Sequence, residues 1–226
     1  MRAWIGVPLA AFALLSFNLP QADAQTWERQ PFKHQGKGSH WKATPRESDG
    51  GILTGEGYAF SLSAPRGWLF DTQAGRSDGV LAVFYRRGES WAMGDAVMYT
   101  TVVYKDKKGM GDTIDKVIKA DMDRFLQNNP GMKAQRGRKI TTGDGRKATV
   151  YTFTQSATAL EGKAAAQEKI AYIDTPRAVV LIVLSSHTKE SYDRSLADFS
   201  TLVHSFAFVG DKIDASLGGN RTLPRL

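Results

Sequence analysis

Apolar residues recur along this chain with two periods, and the switches between them outline its elements. From Tyr58 to Ser63, "YAFSLS", apolar and small polar side chains alternate as one half-buried strand face requires. "VLAVFY" (80–85) and "AVMYTTVVY" (96–104) are β-rich runs of the same kind. The spacing then lengthens. Ile114, Val117, Ile118, Met122, Phe125 and Leu126 repeat at helical intervals behind Asp112 or Thr113 as a cap. "NNPG" at 128–131 ends that helix, since Pro130 disfavours helical backbone at Asn129.

Two more strands are expected around Lys133–Thr141 and Lys147–Thr154, with Gly143-Asp144-Gly145 as the hairpin turn. Gln167–Ile173 follows a polar loop rich in Ala and Gly, and "DTPR" turns the chain into "AVVLIVL" from Ala178. A strand with no polar position belongs at the centre of a sheet covered on both faces. Leu181 and Val183 are expected to be buried on its two opposite faces. "SSHT" ends it, and Tyr192, Leu196, Phe199, Val203 and Phe206 form the apolar stripe of a second helix. Six or seven strands and two principal helices, joined mostly by hairpin-length turns, give an α+β fold with a largely antiparallel sheet.

Composition changes the picture at the ends. Residues 1–24 read as a signal peptide: Met1-Arg2, an apolar run, then "ADA" as a cleavage site after Ala24. A membrane anchor is the competing reading of that run, which is short for a span. Residues 25–51, polar and rich in Gly and Pro, read as a flexible arm, and 210–226 as a flexible tail, leaving 52–209 as the folded domain. The chain has no cysteine, so it can form no disulfide and carry no cysteine-linked lipid. A secreted or periplasmic protein, not lipid-anchored, is the expectation.

Charge changes it again. Thirty Lys and Arg oppose 23 Asp and Glu, a net +7, which favours acidic partners and is too mild to indicate nucleic acid. Arg136, Arg138, Lys139, Arg146 and Lys147, with Lys133, gather around the 142–145 hairpin against Asp144 alone. They read as a docking surface for an acidic protein or anionic lipid headgroups, or as solvated charges that blunt an edge strand. Arg86, Arg87 and nearby Trp91 form a second basic tip, with the Arg-plus-aromatic composition of an interface hot spot, for which a plain loop tip is an equally good account.

Candidate chemistry is sparse. Ser185, Ser186 and His187 stand at a strand-to-helix junction, where helix capping is the simpler role. His204 suits the C-terminus of the second helix. His34 and His40 lack the carboxylates of a metal site. Asp112 and Asp115 favour the start of the first helix; Asp121 and Asp123 read as its solvated face. No catalytic set, phosphate loop or cofactor motif emerges.

"FSLSAPRGW", "VVLIVLSSHTKESYD" and "FSTLVHSFAF", in that order, resemble the PsbP/Mog1-like superfamily, including DcrB- and LpqN-type bacterial envelope proteins. The resemblance covers roughly residues 55–209. It implies an α/β/α sandwich around an antiparallel sheet, and members that bind proteins and mostly catalyse nothing. No functional residue carries over from it. In such a sandwich, Pro65 and Gly67 end the first strand and Trp68 folds back as a plug over the sheet edge. A non-enzymatic protein-binding or assembly-support domain is therefore the expected function. A small envelope hydrolase and a small-ligand carrier with its pocket near Trp68 are the alternatives.

Overall fold

A computed structural model describes residues 49–105, 111–128, 131–155 and 167–211. The expected leader, most of the expected arm, His34, His40 and nearly all of the expected tail lie outside them. Eleven strands and two helices are formed in these residues. β1 (Gly50–Gly55), β2 (Tyr58–Ser63) and β11 (Ala207–Gly210) make a three-stranded sheet in the order β1-β2-β11. β3 (Trp68–Asp71), β4 (Ala82–Arg86), β5 (Ala96–Tyr104), β6 (Met132–Arg136), β8 (Lys147–Gln155), β9 (Gln167–Asp174) and β10 (Ala178–Ser186) make the large sheet. Its order is β3-β4-β5-β10-β9-β8-β6, with the short β7 (Ile140–Thr141) also on β8. Every pairing is antiparallel.

Strand β10 is the centre that its composition demands. It pairs along its length with β5 and β9, and Ala178 to Leu184 are all buried. Leu181 and Val183 do not face opposite ways, however. Residues two apart in a strand share a face, and both stand in register with Tyr172, Ile170 and Tyr99 on the side of the first helix. Val180, Ile182 and Leu184 fill the other side.

That other side carries the main core. Helix α2 (Lys189–His204) lays Tyr192, Phe199, Leu202 and Val203 over it, with Phe60 and Leu62 of β2, Trp68, Phe84, Met98 and Phe206. Thr188 caps the helix, its hydroxyl accepting from the Ser191 N–H at 3.1 Å. Helix α1 (Ile114–Asn128) covers the first side with Val117, Ile118 and Phe125, the last packed 4.7 Å from the Phe153 ring. The arrangement is a layered α+β sandwich.

Four strands exceed the expected count, for local reasons. β1, "GGILTG", has no alternation to read, and its Ile52 stays 55% exposed. It exists because β2 pairs with all six of its residues across a two-residue turn. Glycine is required at its end, since a Cβ at Gly55 would come within 2.4 Å of the Tyr58 ring. β3 begins at Trp68, directly after a turn closed by the Trp68 N–H on the Pro65 carbonyl, 3.0 Å. The expected strand 133–141 is divided between β6 and β7 by Gly137, Arg138 and Lys139. β11 is the last extended piece after Phe206.

Candidate functional site

The two basic clusters lie near opposite edges of the large sheet. β4 and β6 are five strand positions apart, about 24 Å at roughly 4.8 Å per strand. Arg86 and Arg87 therefore share no ligand with the 133–147 group.

Within the hairpin group, the structure separates cations that hold the fold from cations that face water. Arg146 belongs to the first kind. Its Nε donates to Asp144 Oδ2 at 2.9 Å, its Nη1 to the Asp174 carbonyl at 3.0 Å, and its guanidinium lies 4.9 Å from the Phe208 ring centre. Asp144 accepts in addition from the Thr142 hydroxyl at 2.5 Å and the Phe208 N–H at 2.9 Å. Partial burial pushes the Asp144 carboxyl up, but these hydrogen bonds outweigh it and hold the group below its ordinary range. The Gly143 N–H donates to the Phe206 carbonyl at 3.0 Å, and a Cβ at Gly143 would meet the His204 carbonyl at 2.8 Å. The turn thus fastens one sheet to the strand that closes the other. Lys147 Nζ donates to Thr141 Oγ1 across β7 and β8, 2.5 Å.

Lys133, Arg136, Arg138 and Lys139 are of the second kind. All four are exposed along β6 and the stretch after it, and none forms an ion pair with a described acid. They line the free margin of the large sheet, because among the described residues β6 pairs with β8 alone.

At the other margin, the Arg86 guanidinium stacks 4.8 Å from the Trp68 ring centre and donates to Asp198 at 3.0 Å. Trp68 Nε1 donates to the same carboxylate at 2.9 Å. The indole is 1% exposed, a plug at the sheet edge under α2. Beside it opens a shallow cleft of about 440 Å³, with Arg86, Asp95, Arg194, Ser195 and Asp198 in its wall. Arg87 reaches Asp49 at 3.5 Å. Trp91 Nε1 donates to Asp78 at 2.7 Å, and its ring meets Tyr99 edge-on at 5.8 Å.

One cluster escapes the sequence pattern. Between α1 and the sheet, Asp121, Glu168, Tyr99 and Tyr172 are all buried. Asp121 is thus not part of a solvated face. It sits on the buried stripe of α1, one turn from Val117 and Phe125, and accepts from the Tyr172 hydroxyl at 2.7 Å. Asp123 does face water, paired with Lys119 at 2.5 Å. Glu168 accepts from Ser185 Oγ at 3.3 Å, while its other oxygen and the Tyr99 hydroxyl have no hydrogen-bond partner among the described residues. Burial raises the Asp121 carboxyl and pushes Glu168 up to about 7; the nearby Asp121 charge also raises Glu168. Both tyrosines are pushed well above their ordinary value, first by burial and then by these carboxylates. The readable signal was the spacing itself, since position 121 falls on the 114–117–118–125 stripe.

The serines of the strand-to-helix junction are engaged structurally. Ser186 Oγ donates to the Asp95 carbonyl at 2.9 Å, and Ser185 supports Glu168. Among the described residues no three His, Asp or Glu side chains are grouped to hold a metal, and no helix is long and apolar enough to cross a membrane.

No family model and no curated protein matches the sequence. Solved structures similar in fold include LpqN, involved in cell envelope biogenesis of Mycobacterium tuberculosis: 16% identity over 73% of this chain and 89% of that one, TM-score 0.42. Cyanobacterial PsbP from Synechocystis is 17% identical over 77% of this chain and 98% of its own, TM-score 0.39. The Saccharomyces cerevisiae Ran-binding protein Mog1p is 10% identical over 71% and 96%, TM-score 0.43.

Proposed function

We propose that this chain is a non-enzymatic binding protein of the extracytoplasmic space, released from residues 1–24 and docking an acidic protein on the free margin of its large sheet. The observation that carries this reading is the line of four exposed cations, Lys133, Arg136, Arg138 and Lys139, without a described acidic partner. Arg146 and Lys147, by contrast, are already engaged inside the fold. Exposed cations of one sign attract an acidic surface over a Debye length of about 8 Å at physiological ionic strength, and add little to folding. The binding domain would run from β1 to β11, residues 50–210, two residues earlier and one later than the composition of the chain suggests.

In-cell crosslinking compares the wild type with the Arg136→Glu, Arg138→Glu, Lys139→Glu variant. The expected result is one acidic protein captured by the wild type and lost, or greatly reduced, in the variant. Salt should weaken the same complex in vitro. Equal capture by both chains, or binding confined to phosphatidylglycerol vesicles, would overturn the reading.

A second reading, a small-ligand carrier, draws support from the cleft beside Trp68 and the charges of both signs around it. A co-purifying small molecule displaced by Arg194→Glu would establish it.

A further inference from the structure

The free margin is a row of backbone groups as well as a row of charges. The ladder between β6 and β8 runs from Met132↔Gln155 to Arg136↔Tyr151, and the Gly137 N–H donates to the Val150 carbonyl at 2.8 Å. Antiparallel pairs alternate between those that exchange both hydrogen bonds and those that exchange none. With 137 and 150 bonded, 135–152 and 133–154 are the other bonded pairs. Met132, Ala134 and Arg136 therefore turn their N–H and C=O groups outward. No turn, loop or cap bond from another described residue reaches them. Ala134 has the smallest side chain of the five, so its outward backbone is the least shielded.

An open edge invites pairing, and proteins commonly guard such edges with lysine and arginine. The guard here is selective. A second copy of β6 would set its own lysine and arginine against Lys133 and Arg136, and like charges across a ladder repel. An acidic strand meets the opposite sign at every such position.

We propose that β6 accepts an extended acidic segment of a partner protein as an added strand, with acidic residues opposite Lys133 and Arg136. This rests on the docking reading above and specifies its geometry. Lys133 and Arg136 are three residues apart and point to opposite faces of the sheet. The matching segment therefore carries acids three apart along an otherwise β-prone sequence. It is bound by main-chain hydrogen bonds for affinity and by alternate side chains for specificity.

The test uses the full chain and a fluorescein-labelled ten-residue peptide of Val, Thr and Ile with two Glu three apart. Ala134→Pro keeps every cation, removes one outward N–H and is tolerable on an edge strand because no inward bond is lost. It should weaken peptide binding by roughly tenfold or more at an unchanged melting temperature. N-methylation of alternate peptide amides, which spares both Glu, should abolish binding to the wild type. That second arm decides the matter should the proline variant fail to fold. If the methylated peptide binds as well as its parent, strand addition is wrong. If charge reversal at Arg136 and Arg138 still releases that peptide, acidic docking survives in another geometry. If neither methylation nor charge reversal changes binding, both readings fall.

Discussion

Both faces of the large sheet are buried and largely apolar, but under α1 Val117, Ile118, Phe125 and Phe153 share the space with ionisable groups. Under α2 the contacts are Phe60, Phe84, Ile182, Phe199 and Phe206, with Phe60 and Phe206 stacked at 5.3 Å. Under α1 the same sheet buries two carboxylates and two tyrosine hydroxyls, some of them unpaired. An apolar face gains stability with each side chain removed from water. A polar face contributes only as far as its groups find partners, and it makes stability depend on protonation. The first face holds the fold together, and the second makes it sensitive to pH.

The largest effect should come from putting a charge where no partner exists. Ile182→Asp on the α2 face introduces an unpaired buried carboxylate. Its cost of several kcal/mol or more is comparable to the roughly 5–15 kcal/mol that holds a domain folded. Loss of soluble protein is expected; a variant melting within a few degrees of wild type would erase the contrast between the faces.

Next comes the titration of the α1 face. Glu168 is raised from 4.5 to about 7 on folding. A raised carboxyl contributes stability that is complete below its unfolded value and is lost as pH climbs through the folded one. Unfolding free energy should therefore fall between about pH 4.5 and 7, by roughly 3 kcal/mol at most, at about 1.4 kcal/mol per unit. Denaturant melts across that range give the slope. Glu168→Gln should flatten it, and a variant with the wild-type slope would assign the dependence elsewhere.

A smaller effect tests the partnered half of the cluster. Tyr172→Phe strips the donor from buried Asp121 and should cost about 1–3 kcal/mol. Adding Asp121→Leu should recover part of that loss, because no orphaned carboxylate remains. A double variant weaker than the sum of both single variants would contradict the pairing.

Least affected should be the free margin. Arg136→Glu, Arg138→Glu and Lys139→Glu together should shift stability by no more than about 0.5 kcal/mol per site. Arg146→Glu should cost visibly more, since it faces Asp144 and gives up the Asp174 carbonyl. Equal thermal shifts would remove the distinction between structural and solvent-facing cations.

What could be read from the chain follows the same division. The α2 face was legible because its elements bury whole stripes: the stripe from Tyr192 to Val203 marked the helix, and the unbroken run of β10 marked a central strand, though not the facing of Leu181 and Val183. The α1 face was not. Asp121 and Glu168 are charged by type and buried by position, and composition alone assigns them to water. β1 and β3 were missed because the partner makes the strand: β1 is glycine-rich, and β3 begins on the aromatic that the turn at Pro65 delivers. The basic cluster was visible as composition, but not its division into fastened and free cations. That depends on Asp174 and Phe208, 28 and 62 residues beyond Arg146.

The small sheet has a mechanical consequence. β1 and β11 both run antiparallel to β2, and so parallel to each other, with β2 between them. Tension applied at Gly50 and at Gly210 acts along the strands in opposing senses, across hydrogen bonds that lie perpendicular to the pull. The bonds are loaded together in shear and do not peel one after another. Force transmitted between the two ends of the folded residues therefore meets its main resistance at β2, and the large sheet behind it is spared until those ladders give.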